Sequence, residues 1–144
     1  MGELLIDKIG KEPTRAAVVR ECCELIETHV KNKGLVIKAG YATVKTVKKS
    51  FVPEVVDALL DEWLTQIQPH FDRWSAAPTA SCADYLITRQ DDVAEDLLKV
   101  TDRRAEKSSH GSVRKLYSKL RDSAKSNVVQ AVPDLARLVA RHLG

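Results

Sequence analysis

Apolar residues in this chain recur every three or four positions through six segments, and each segment is opened by a capping residue or a proline and closed by Gly, Pro or a polar cluster. That period belongs to helices that bury one face, so it predicts an all-α fold before any motif is considered. The 144 residues fit one domain, which at this size buries roughly 70% of its unfolded surface. No internal period of roughly 20 to 50 residues points to a solenoid, and heptads lapse too soon for a long coiled coil. The expectation is a single helical domain over residues 1–144, a compact bundle of five to seven helices with a flexible loop at about 75–81.

Residues 3–9 form a short amphipathic turn or two around Leu4, Leu5 and Ile9, broken at Gly10. Pro13 suits the first turn of a helix in which Val19, Cys22, Cys23, Ile26 and Val30 make a stripe, ended by Asn32, Lys33 and Gly34. From Leu35 to about Lys49 the β-branched residues suggest a strand, yet strict alternation is absent and positions 36, 40, 44 and 47 share a helical face, so this segment reads as helix. Gly40 within it points to close approach by another backbone. Pro53 opens the strongest helix, with Val56, Leu59, Leu60, Trp63, Leu64 and Ile67 on one face; Pro69 kinks or ends it, and Phe71 and Trp74 can continue the stripe. Ser81 with Asp84, and Thr88 with Asp91, resemble capping boxes ahead of two further helices. The polar cluster at 108–112 precedes a long helix carried to Pro133, beyond which Leu135, Leu138, Val139 and His142 mark a last one.

Charge is segregated along the chain. The net charge of +3 divides into +4 over residues 1–49, −7 over 50–100 and +6 over 101–144. One reading is that helices of opposite sign pack as neighbours and pair their charges. The other concerns Arg103, Arg104, Lys107, Arg114, Lys115, Lys119, Arg121 and Lys125, many of which gather into a basic ridge opposite an apolar stripe. Ser108, Ser109, Gly111 and Ser112 lie ahead of that ridge at a helix N-terminus, where free N–H groups favour an anion. The candidate anion or nucleic-acid site is therefore Arg103, Arg104, Lys107, Ser109, Gly111, Arg114, Lys115, Lys119, Arg121 and Lys125. Gly111 is followed by Ser112 rather than by Lys and Ser/Thr, so this is not a nucleotide-hydrolysing P-loop. Lys31, Lys33, Lys38, Lys45, Lys48 and Lys49 make a second basic group. The aromatics sit mostly in apolar stripes, not interleaved with the cations as a base-stacking platform requires.

Chemistry is argued down rather than found. His29, His70, His110 and His142 are scattered without metal-ligand spacing, and no HExxH, CxxC, GxSxG or GxGxxG occurs. The three cysteines imply no disulfide framework: adjacent Cys22 and Cys23 cannot bridge without strain and read as buried, whereas Cys82, beside the polar loop, reads as the more exposed thiol. No enzyme activity, cofactor or metal is expected. The start of the chain lacks a signal peptide, Ile6 stands where a myristoylation signal needs Ser or Thr, and no run approaches the ~18 apolar residues of a membrane span. This reads as a cytoplasmic protein with its own N-terminus and no membrane partner.

The segments GLVIKAGYATVKTVKKSFVPEVVDALLDEW (34–63) and VTDRRAEKSSHGSVRKLYSKLRDSAKSNV (100–128) resemble a family of small helical bacterial proteins of unknown function, notably in KAGY and VTD. The resemblance implies an all-helical domain and assigns no residue a role. What remains is an interaction module that binds a protein partner or self-associates, through the acidic helix at 53–74 or the basic ridge; the alternative is binding of nucleic acid or a phosphorylated ligand by the basic helix at 103–125.

Overall fold

A computed structural model describes residues 4–47 and 50–143, apart from the side chains of Val36, Val44, Val47, Leu120 and Asp122. Its elements are α1 (Leu5–Ile9), α2 (Thr14–Lys31), α3 (Leu35–Val47), α4 (Phe51–Ala76), α5 (Cys82–Thr88), α6 (Gln90–Glu106) and α7 (Gly111–Leu143). No strand occurs among the described residues, and the class is all-α as the period required. No helix among them is long and apolar enough to cross a membrane.

The expected division into helices is corrected at Pro133. Pro69, which the sequence reads as kinking or ending its helix, lies inside α4, with Phe71 and Trp74 continuing its stripe, and Pro133 lies inside α7, where the sequence divides two helices. A proline removes one backbone bond and crowds the preceding turn, at a cost of about 3 kcal/mol. Pro69 is exposed, and its neighbours Ile67, His70 and Phe71 are buried; around Pro133, Val132, Ala136, Leu138 and Val139 are buried. Each buried aliphatic or aromatic side chain contributes roughly 1.5–3 kcal/mol, so packing outweighs the proline at both places.

Capping follows the sequence once and departs from it once. The Ser81 hydroxyl accepts from the Asp84 N–H at 3.1 Å and starts α5. Thr88 caps nothing: it is still within α5, and its hydroxyl donates back to the Tyr85 carbonyl at 2.8 Å. The Ser81 cap also turns Cys82 into the core, at 8% exposure, which overturns the expectation of an exposed thiol. Cys22 is buried and Cys23 half-buried; all three thiols are free. The expected helix at 35–49 is α3, in which Gly40 is buried; Lys48 and Lys49 lie outside the described residues.

The core is organised on α4, whose stripe of Val56, Leu60, Leu64, Ile67 and Phe71 joins Leu5 and Ile9 of α1, Val18 and Cys22 of α2, Val93 and Leu97 of α6, and Val132, Ala136 and Val139 of α7. α2 and α6 both pack on α4, and α7 lies along α5 and α6 and against α2. Opposite charges meet at these seams, as the first charge reading expected. Arg15 of α2 reaches Asp57 and Asp61 of α4 at 2.8 and 2.7 Å while donating to the carbonyls of Gly10 and Asp57. Near the centre of the bundle the packing leaves a wholly apolar cavity of about 200 Å³ between α1, α2, α4, α6 and α7.

The turn between α1 and α2 depends on Gly10. A Cβ there would stand 2.6 Å from the Ile6 carbonyl oxygen and 3.1 Å from Leu64 Cδ1, whereas a Cβ at Gly34 meets nothing within 4 Å. Gly10→Ala is expected to lower stability by about 1–3 kcal/mol, and Gly34→Ala to change it by less than about 0.5 kcal/mol. Urea midpoints at unchanged slope check the pair.

Candidate functional site

The first turns of α4, the last turns of α6 and the start of α7 enclose a cleft of about 360 Å³. Its floor is apolar: Phe51, Val55, Ala58 and Leu59 come from α4, Ala105 from α6, and Val113 with the Tyr117 ring from α7. Its rim is polar and cationic, formed by Arg104, Lys107, Ser108, Ser109 and His110. The connector between α6 and α7 holds itself in place. The Ser108 hydroxyl accepts from the His110 N–H at 3.2 Å, Arg114 donates to the Ser108 carbonyl, and the His110 ring meets Phe51 edge-on with centroids 5.8 Å apart.

The basic residues picked out along 103–125 divide into two groups. Arg103 and Arg104 reach Glu62 of α4 at 3.5 and 3.4 Å, and Arg104 also donates to the Ala58 carbonyl at 3.4 Å. Arg121 grips both oxygens of Asp102 at 2.8 and 3.1 Å, and Lys125 pairs with Glu95 at 3.4 Å. Arg114 is spent on the connector backbone. Lys107, Lys115 and Lys119 are exposed and make no ion pair among the described residues. Lys107 stands at the cleft rim; Lys115 and Lys119 are placed by helical geometry on the side of α7 away from Val113 and Tyr117. Ser109 is exposed on the rim. Gly111 is the first residue of α7, and a Cβ there would meet Arg114 Nη2 at an ordinary 3.7 Å, so no close approach demands a glycine.

Below the cleft wall lies a polar knot. Tyr117 donates to Asp102, shares a 2.9 Å hydrogen bond with the Thr101 hydroxyl, and so links α7 to α6 beside the Arg121–Asp102 pair. Burial raises the Asp102 carboxyl, but the bonds from Tyr117 and Arg121 outweigh it and hold the group below its ordinary value. Burial, reinforced by the bond to Asp102, pushes Tyr117 up to about 12.

Apart from His110, the histidines and the cysteines are engaged elsewhere. His70, 3% exposed, faces Asp96 Oδ2 with Nε2 at 2.7 Å and Arg73 Nη2 with Nδ1 at 3.0 Å. Because guanidinium only donates, Nδ1 carries the lone pair and Nε2 the proton. His29 meets Asp134 at 2.9 Å and His142 meets Glu21 at 3.1 Å. No cluster of three metal-ligating side chains occurs among the described residues. Burial pushes the Cys22 thiol up to about 12 and raises Cys23 and Cys82 as well. Of the second basic group, Lys45 pairs with Glu27 at 3.3 Å and Lys33 donates to Gln130 at 2.5 Å.

Sequence reasoning found the cations but not the floor of the cleft. Phe51, Val55 and Ala58 carry no signal that separates them from ordinary helix residues; only the packing of α6 and α7 beside them makes a site.

Fold and site together define an all-α helical bundle that carries an apolar cleft with a cationic rim. The chain belongs to a family of unknown function, DUF6918, which it matches over residues 5–143. The resemblance noted at KAGY and VTD thus extends over nearly the whole chain. No curated protein and no solved structure matches it.

The Tyr117 knot gives a signed pH dependence. Asp102 is held down, so its contribution is present above its ordinary value of 3.8 and is lost as pH falls further. Tyr117 is raised from 10.0 to about 12, so its contribution is complete below pH 10.0 and is lost as pH rises through about 12. Tyr117→Phe is expected to destabilise by about 1 kcal/mol at neutral pH. The stability difference from wild type should shrink at both extremes, a pattern that paired urea titrations across pH would reveal.

Proposed function

We propose that the protein is a non-enzymatic interaction module whose docking surface is the cleft between α4, α6 and α7, and that its occupant is an acidic segment of a protein partner anchored by one large apolar side chain. The observation that carries this reading is the pairing of an apolar floor with a cationic rim. The floor of Phe51, Val55, Leu59 and Val113 bounds about 360 Å³, room for one aromatic or branched anchor of the kind that dominates interface energies. Lys107 at the rim, unpaired among the described residues, complements an acidic flank and disfavours a basic one.

The state of the acidic helix favours the cleft over the 53–74 surface. Asp57 and Asp61 are taken by Arg15, and Glu62 by Arg103 and Arg104. A partner docking on that face would have to displace pairs already made. The non-enzymatic reading is supported by thiols whose burial keeps them protonated and poorly nucleophilic, and by histidines dispersed among separate structural pairs. The alternative, a nucleic acid or phosphorylated ligand on the 103–125 helix, is favoured by exposed Lys107, Lys115 and Lys119. Against it, Arg103, Arg104, Arg121 and Lys125 are already neutralised by acids of the same chain.

Benzoylphenylalanine placed at position 58, on the cleft floor, and at exposed position 84 tests the reading by photocrosslinking in the source cells. The expected result is an adduct to one partner protein at position 58, weak or absent at 84, and lost with Lys107→Glu. Equal adducts at both positions, or none, would refute the cleft as a docking surface. An adduct to a second copy of the chain would replace the partner by self-association. Saturable, salt-sensitive anisotropy of labelled DNA or RNA, removed by reversing Lys107, Lys115 and Lys119, would install the alternative.

A further inference from the structure

The central cavity is distinct from the cleft, with which it shares Thr101. Its wall comes from five helices, and among the described residues no polar atom faces it. The polar groups of its lining have partners: Trp63 Nε1 donates to the Leu97 carbonyl at 3.3 Å, and the Thr101 hydroxyl lies 3.0 Å from the Leu98 carbonyl and 2.9 Å from the Tyr117 hydroxyl, with one proton to give. No buried side-chain nitrogen or oxygen among the described residues lacks a partner. A water held there would need two to four polar partners, and the lining of this partly open space offers none, so water competes poorly with an apolar occupant. Apolar cavities of about 150 Å³ take up benzene, and this one is larger, at about 200 Å³.

We infer that the cavity is a binding site for a neutral, wholly apolar small molecule, a single ring bearing a short alkyl arm. The lining selects against an amphiphile: no Lys, Arg or His lines the space to meet a carboxylate or phosphate head group, and an unpaired charge drawn inside it would be strongly disfavoured. Entry is through a thin wall. Leu25 and Ile26 of α2, Trp63 of α4 and Ala131 and Leu135 of α7 line the cavity yet are only half-buried, so rotation of these side chains opens it without separating the helices. The inference does not rest on the cleft or on a protein partner.

Trp63 reports on occupancy. The chain has two tryptophans, so Trp74→Phe leaves Trp63 as the sole emitter, in the cavity wall. Titration with n-butylbenzene is expected to change Trp63 emission saturably and to raise Tm of both this variant and the unmodified chain by several degrees. The charged analogue 4-butylbenzoate is expected to bind at least tenfold more weakly. Ala131→Leu, which fills the space, is expected to raise Tm without ligand and to weaken n-butylbenzene binding tenfold or more; Val128→Leu serves the same purpose where the first variant does not fold. Absence of saturable binding by n-butylbenzene and by toluene would overturn the inference. So would equal binding of the charged analogue, or unchanged affinity in a folded cavity-filled variant.

Discussion

The burial of one stripe on α4 governs this molecule. Val56, Leu59, Leu60, Leu64, Ile67 and Phe71 are all withdrawn from water, and no single helix is wide enough to cover them. α1, α2, α5 and α6 therefore converge on α4 from different sides. The charge pattern follows from that convergence. Arg15 arrives beside Asp57 and Asp61, and Arg103 and Arg104 beside Glu62, because their helices are brought there by apolar area. Solvent-exposed pairs of this kind contribute at most about 1 kcal/mol each, too little to set the arrangement but enough to favour one register over its neighbours. Arg15 does more than pair, since it also holds the carbonyls of Gly10 and Asp57 and ties the α1–α2 turn to α4.

Where the packed helices present small side chains to one another, the cover is incomplete. Ala58 and Ala105 lie in the cleft, and Cys22 and Ala131 border the cavity. The two gaps differ in kind. The cleft opens to water and carries cations at its rim, which suits a partner approaching from solvent. The cavity is narrowed by half-buried side chains and its lining carries no charge, which suits a molecule that gains by leaving water.

Fold and site were unequally legible. Periodicity placed α2, α3, α4 and α6 because a helix that buries one face must repeat near 3.6 residues, and the Ser81 cap was visible because its bond is local. Pro133 misleads because the local rule omits tertiary packing: what carries α7 past it is Val132, Ala136, Leu138 and Val139, whose burial depends on helices far away in sequence. Cys82 was misplaced for the same reason, its polar neighbours saying nothing of what lies beneath it. The cations of 103–125 could be listed from sequence, but which ones stay unpaired is decided by Glu62, Glu95 and Asp102 on neighbouring helix faces. The cleft floor and the cavity exist only between elements, so no single segment contains them.

The cavity changes what stability means for this protein. Domains of this size are stable by roughly 5–15 kcal/mol in total, and an apolar space of about 200 Å³ forgoes packing contacts that would add to that margin. Any apolar occupant restores contacts to α1, α2, α4, α6 and α7 together, because all of them contribute to the wall. Its stabilisation therefore falls on the concerted separation of the bundle rather than on fraying of one helix. The cleft behaves otherwise: its walls are already held by the α6–α7 connector and the Tyr117–Asp102 link, so an occupant meets a surface formed in advance. Binding in the cleft is thus governed by complementarity of charge and shape, and binding in the cavity by the packing that the bare chain forgoes.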